Sequence, residues 1–126
     1  VRFHGYLDDE KLRACMSACD IGIVPMFSAS WVAVPNKVAD YAAAGLAMIN
    51  GLGGESQELL FRYEAGVGYE PGKLDSFVQA VRQYAEDRVL LGKHQAGARR
   101  LAEELFDAGK IYPEMARWLA DSVGKG

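Results

Sequence analysis

The chain has 126 residues, half of them hydrophobic and a quarter charged, and its net charge is −3. This composition fits one globular domain with a sizeable core, and no apolar run approaches the roughly 20 residues that cross a bilayer. The slightly acidic balance argues against a nucleic-acid partner, because that role needs clustered Lys and Arg side chains. The two cysteines lie four residues apart and lack the further ligands of a metal site. We therefore expect neither a metal nor a cofactor.

The first elements alternate between strand and helix. Val1–Gly5 alternates like a strand and stops at a glycine, and because it opens the chain, the sequence looks like a piece of something longer. Asp8 or Asp9 can cap the next helix, whose apolar residues repeat at helical spacing. Ile21–Val24 is a short apolar run stopped by Pro25, as expected of a strand buried on both faces.

The central stretch predicts a helix over Pro35–Ala44 with a stop signal at Gly45. Proline suits a helix start because its missing N–H has no partner there, and glycine ends a helix by taking a positive φ. Asp40 lies on this helix, where a carboxylate can bind a ribose hydroxyl, and a solvated carboxylate is the alternative. Lys37 lies in the first turn, where the dipole does not favour a cation. Lys37 therefore indicates anion binding or, alternatively, an exposed surface lysine.

A strand predicted over Leu46–Ile49 leads into the glycine-rich turn Gly51–Ser56 and a helix over about Ser56–Tyr63. Free N–H groups and the positive dipole end at a helix N-terminus suit a phosphate. The turn matches neither a P-loop nor a dinucleotide fingerprint, so an ordinary strand–helix connection is the alternative. Gly66–Tyr69 predicts a further short strand, and the chain from about 74 to 123 predicts a helical tail.

The alternation of strands and helices predicts an α/β fold. A parallel sheet of about four strands with right-handed crossovers would form the middle of three layers. We expect residues 1–126 to be a single, partial domain with its ligand in the crevice beyond the carboxyl ends of the strands. Gly92 and Gly97 weaken the middle of the helical tail. His4 and His94 lack the pattern of a triad and are interpreted as structural, so no catalytic residue is predicted.

Several motifs, taken in order, resemble the C-terminal domain of GT-B glycosyltransferases of the group 1, family four type. The resemblance covers nearly the whole chain and rests on the order and spacing of the motifs together. It implies that the fold is a Rossmann-like half of the GT-B architecture. The matching segments are Val1–Gly5, Leu12–Pro25, Pro35–Lys37, Asp40–Gly45, Gly54–Leu59, Ala65–Gly68 and Pro71–Gly72.

The resemblance implies that the chain binds a nucleotide-diphosphate sugar. Asp40 would hold the ribose hydroxyls, and Gly53 and Gly54 would face the donor sugar and the diphosphate. The first acidic position of the family motif is Val32 here, so loop residues such as Ser30 would take over donor contacts. The nucleotide base would be held in the loop before the first helix. The implied substrate-binding residues are Tyr6, Leu7, Ser30, Lys37, Asp40, Gly53, Gly54 and Glu58.

The same resemblance implies a retaining transfer to a glycan or lipid-linked acceptor in bacterial cell-surface polysaccharide synthesis. It also implies a separate N-terminal acceptor domain, and we expect this chain to be inactive without it. We expect a cytoplasmic protein, working at the inner membrane surface if the acceptor is lipid-linked. Exposed strand edges predict a homodimer. The alternatives are a non-catalytic half-domain that assembles with a partner chain and a sugar-nucleotide epimerase-like protein.

Overall fold

Strands and helices alternate through the first half of the molecule, and three helices follow. The computed structural model describes residues 1–25, 34–51 and 53–124. The elements in chain order are α1 (Asp9–Ser17), β1 (Ile21–Val24), α2 (Asn36–Ala43), β2 (Ala47–Asn50), α3 (Glu55–Arg62), β3 (Gly66–Gly68), α4 (Leu74–Glu86), α5 (Arg88–Leu105) and α6 (Ala108–Gly124).

The described strands form one parallel sheet in the order β1-β2-β3. Ile23 pairs with Ile49, and Ile49 pairs with Val67. Because the strands are parallel, their carboxyl ends lie at the same edge of the sheet, and the segments leading to α2 and α3 start there. The predicted α/β class with a parallel sheet is confirmed.

The first five residues do not form the predicted strand. Val1 and Phe3 are almost fully exposed, and no described strand pairs with this segment. A strand is stable only with a partner, so an alternating pattern alone is not sufficient. The described sheet accordingly has three strands where about four were expected. The outer edge of β1 is unpaired among the described strands, and dimerisation through this edge stays a prediction.

Helices cover both faces of the sheet and complete the three layers. Met48 of β2 lies in a core cluster with residues of α2, α3 and α5. Its neighbours Ala47 and Ile49 point to the opposite face and pack with Ala80 and Tyr84 of α4. All four residues of β2 are buried, so this strand is the centre of the described structure.

The helix predicted over the central stretch is confirmed as α2. Pro35 is its N-cap residue, and Gly45 follows it with a φ of 70°. The N–H of Gly45 donates to the carbonyl oxygen of Ala42 at 3.0 Å. A glycine in the left-handed region just past the last turn is a common helix stop. The local sequence therefore fixed both ends of this element to within a residue.

The C-terminal third consists of α4, α5 and α6. Helix α5 runs without a break through Gly92 and Gly97, although two glycines in one helix reduce its intrinsic stability. The carboxylate of Asp107 accepts a hydrogen bond from the N–H of Gly109 at 2.9 Å and caps α6. Helix α6 contains Pro113 and has no buried residue. Within the described residues, no helix combines the length and the apolar character needed to cross a membrane.

Candidate functional site

The exposed face of α2 carries Asp40, the residue predicted to bind ribose. Val38 and Ala42 are buried beneath α2, so a residue halfway between them points away from the sheet. Tyr41 fixes the helix on β1, because its hydroxyl donates to the carbonyl oxygen of Ile23 at 3.2 Å. Burial, and then the charge of Asp40, raise the pKa of Tyr41, which keeps the hydroxyl protonated as a donor. The packing of its neighbours thus holds Asp40 at the surface.

Asp40 lines a cavity of about 450 Å³ between α1 and α2, which we call the helix cavity. Arg13, Met16 and Ser17 of α1 form its opposite wall. Arg13 forms no ion pair with any described residue, so its guanidinium is available to an anion. No motif of the sequence singled out Arg13. Helical spacing could have identified Arg13, because it lies one helical turn before Ser17 on the face of α1 that α2 approaches.

The predicted phosphate-binding turn lies at the start of α3. Gly54 is the N-cap residue, with φ of 71° and ψ of −139°, a conformation that residues with a side chain rarely adopt. No side chain of the described residues caps this helix, so the N–H groups at its start have no side-chain partner there and can bind a ligand. Glu55 and Glu58 in the first turn already complement the positive helix end. A diphosphate would therefore approach from the side of Gly53 and Gly54, both of which are exposed.

The structure brings the predicted ribose and diphosphate residues to one side of the molecule but not into one cavity. Helices α2 and α3 follow paired parallel strands, so both begin at the same sheet edge. Lys37 lies in the first turn of α2 and is exposed. Asp40 lies almost one turn further along and lines the helix cavity, whereas Gly53 lines a different one. A ligand that reaches both must span the sheet edge between the two helices.

The remaining predicted residues contribute less to this site. Tyr6 is 97% exposed and Leu7 is half-buried, in the segment before α1. Ser30 lies outside the described residues. His94 is buried, and its Nδ1 lies 2.8 Å from the hydroxyl oxygen of Tyr84, in keeping with a structural role. In the described part of the chain, no cluster of His, Cys, Asp and Glu side chains could hold a metal ion.

A second cavity, of about 510 Å³, opens where β2 and β3 end, and we call it the edge cavity. Gly53 of the turn lines it, together with Gln57 and Phe61 of α3 and Ser76 of α4. This cavity lies beyond the carboxyl ends of the strands, where the sequence predicts a ligand crevice, but of its lining residues only Gly53 is among the predicted ones. Its lining residues come from separate elements, and no local motif connects them.

Comparisons with known proteins agree with this architecture. Residues 1–87 match the family model described as Glycosyl transferases group 1. The sucrose-phosphate synthase from Thermosynechococcus elongatus is similar in structure over 100% of this chain, with a TM-score of 0.80 and 20% sequence identity. The match covers 31% of that chain, so the present chain spans under a third of its length. No curated protein sequence matches the chain.

Proposed function

Because the chain belongs to the group 1 glycosyl transferase family, we propose that it is the donor-binding part of a retaining glycosyltransferase. The ligand in this proposal is a nucleotide-diphosphate sugar, and a larger protein supplies the acceptor site. The structural match to under a third of a longer enzyme supports the second point. The isolated chain then binds the donor without transferring its sugar.

The exposed carboxylate of Asp40 is the observation that carries the proposal. An ionised carboxylate only accepts hydrogen bonds, and a ribose offers two neighbouring hydroxyl donors. Helix α2 is already packed on β1 and α5 before any ligand arrives, so this acceptor needs little ordering. The open N-terminus of α3 supplies donors of the opposite kind for the diphosphate.

Transfer of the sugar leaves a nucleoside diphosphate with increased negative charge. Cations and oriented N–H groups near that charge lower the barrier more than any other single contribution. Arg13, which lines the helix cavity with Asp40, and Lys37, three residues before Asp40 on α2, are exposed cations. Two flexible surface side chains are weak substitutes for a preorganised site, and this is why we propose that the rest of the enzyme completes it.

The finer parts of the proposal rest on the sequence and its family resemblance alone. These parts are a glycan or lipid-linked acceptor, a role in bacterial cell-surface polysaccharide synthesis, and a location in the cytoplasm or at the inner membrane surface. The edge of β1, which pairs with no other described strand on its outer side, supports a half-domain completed by a partner chain as the alternative. The epimerase-like alternative is less favoured, because we find no acid–base pair for it among the described residues.

Calorimetric titration of UDP and GDP tests the proposal. We expect at least one nucleotide to bind the wild type, and Asp40→Ala to weaken it by roughly 10- to 150-fold, the effect of losing a hydrogen bond to a charged group. Asp121→Ala removes an exposed carboxylate from α6 and serves as the matched control with unchanged affinity. Binding that is insensitive to Asp40→Ala would contradict the role of Asp40. A chain that binds neither nucleotide would contradict the donor site itself.

A further inference from the structure

Aromatic rings form part of the wall of the edge cavity. Phe61 lines it from α3 and is 61% exposed, so its ring is accessible to a ligand. Tyr69 lines it from the end of β3, and its ring is fixed by edge-to-face packing on Phe77 with ring centroids 5.2 Å apart. An exposed ring and a fixed ring together present apolar faces to a ligand.

An oriented amide adds hydrogen-bond donors to this wall. The Oε1 atom of Gln57 accepts a hydrogen bond from Nδ2 of Asn50 at 3.0 Å, which sets the orientation of the Gln57 amide. Its Nε2 lies beside Gly68, where the missing side chain leaves room for it. This Nε2 donates to no described residue, so both of its hydrogens are available to a ligand.

A hydroxyl and a carboxylate complete the polar lining. The N–H of Glu70 donates to Oγ of Ser76 at 2.9 Å, so the Ser76 hydroxyl keeps its own hydrogen for a ligand. The Glu70 carboxylate pairs with Lys73 at 2.8 Å on the exposed rim, and its remaining lone pairs can accept further hydrogen bonds. The cavity therefore offers both donors and acceptors around apolar faces.

The charge of the lining does not favour an anion. Among the described residues that line the cavity there is one carboxylate and no Lys or Arg side chain. The lining therefore offers a phosphate or carboxylate ligand no cationic side chain, and Lys73 is already paired with Glu70 at the rim. A neutral pyranose instead carries hydroxyls that donate and accept, and C–H faces that pack against aromatic rings. The cavity volume of about 510 Å³ lies in the range of small-ligand sites and exceeds what one sugar ring needs.

We propose that the edge cavity binds a neutral sugar unit of a glycan that is not attached to a nucleotide. This goes beyond the proposed donor binding, because no side chain of the helix cavity takes part in it. Gly53 lines the edge cavity and also belongs to the turn before α3. A glycan in the cavity would therefore lie next to the proposed diphosphate site.

Two-dimensional amide NMR of the whole chain tests the proposal, with maltotriose and mannotriose as probes at about 10 mM, a concentration suited to millimolar affinities. We expect shifts at the amides of Gly68, Glu70 and Ser76 with at least one trisaccharide. Phe61→Ala removes an exposed ring without opening the core, and we expect it to weaken binding about tenfold. Tyr112→Ala is the matched control, because Tyr112 is a 64% exposed aromatic residue on α6 outside the cavity.

Absence of shifts with both trisaccharides would overturn the proposal, as would equal affinity in the wild type and Phe61→Ala. Shifts that appear only with a UDP-sugar and disappear in Asp40→Ala would assign the cavity to the donor and also overturn it. Titration of UDP into the same samples separates the two proposals. Trisaccharide binding in a chain that does not bind UDP would support the edge cavity and contradict only the donor site.

Discussion

Replacing Gly97 by alanine tests how α5 packs on the turn between α3 and β3. A Cβ at residue 97 would overlap the carbonyl oxygens of Tyr63 and Glu64. This turn cannot easily retreat, because Arg100 donates to the Tyr63 carbonyl oxygen at 3.1 Å and Lys93 pairs with Glu64 at 2.8 Å. Overpacking costs about 1–3 kcal/mol, and the overlap with backbone atoms places this site at the upper end. The better helix propensity of alanine offsets up to about 1 kcal/mol of this cost. We therefore expect Gly97→Ala to lower the free energy of unfolding by about 2 kcal/mol.

Urea denaturation of the wild type and two variants measures this loss. Gly92→Ala is the matched control, because it lies in the same helix and a Cβ there would meet nothing within 4 Å. We expect Gly92→Ala to raise the free energy of unfolding by about 0.5–1 kcal/mol. If Gly97→Ala were as stable as Gly92→Ala, the close contact between α5 and the turn would be refuted.

Two further predictions concern buried polar groups. The hydroxyl of Ser56 is fully buried and has no hydrogen-bond partner among the described residues. We therefore expect Ser56→Ala to raise the free energy of unfolding in urea by about 1 kcal/mol, and a loss of stability would show that the hydroxyl has a partner. Burial lowers the pKa of His94 below its usual 6.5, with Lys93 adding to this effect and Glu64 opposing it, while the neutral Tyr84 hydroxyl faces the ring. The unfolded chain therefore binds the proton first as the pH falls, and stability should decrease below about pH 6.5. Urea midpoints at about pH 7.5 and about pH 5.5 should differ more in the wild type than in His94→Gln, and equal differences would contradict this role of His94.

Local signals were sufficient to predict the central helix and the class of fold. Pro35 and Gly45 mark the ends of α2 within the sequence itself, and both act through backbone preferences that need no distant partner. The alternation of β1, α2, β2, α3 and β3 followed from the same kind of signal. By contrast, Val1–Gly5 has a strand pattern but no strand beside it, and pairing is a property of the whole sheet.

In the candidate site, too, local features could be predicted from the sequence and contacts between distant residues could not. The exposure of Asp40 agrees with helical spacing, because Val38 and Ala42 are apolar and Asp40 lies between them, but the sequence left open whether this carboxylate binds a ligand or is only solvated. From the sequence, Gly97 is only a residue that lowers helix stability, because Tyr63, which it contacts, lies far away in sequence. Most residues of the edge cavity were not predicted for the same reason, although its position beyond the carboxyl ends of the strands was. Its rings and polar groups come from α3, from the end of β3 and from α4, which lie far apart in sequence.

Amide NMR of the chain with UDP is the most direct test of donor binding. Our account predicts shifts in two separate places at once, the amides of Gly53 to Glu55 at the start of α3 and those around Asp40 on α2. It also predicts that Asp40→Ala weakens both sets together, because one ligand connects them. Shifts at only one of these places, or none at saturating UDP, would contradict the claim that this chain holds the nucleotide of the donor.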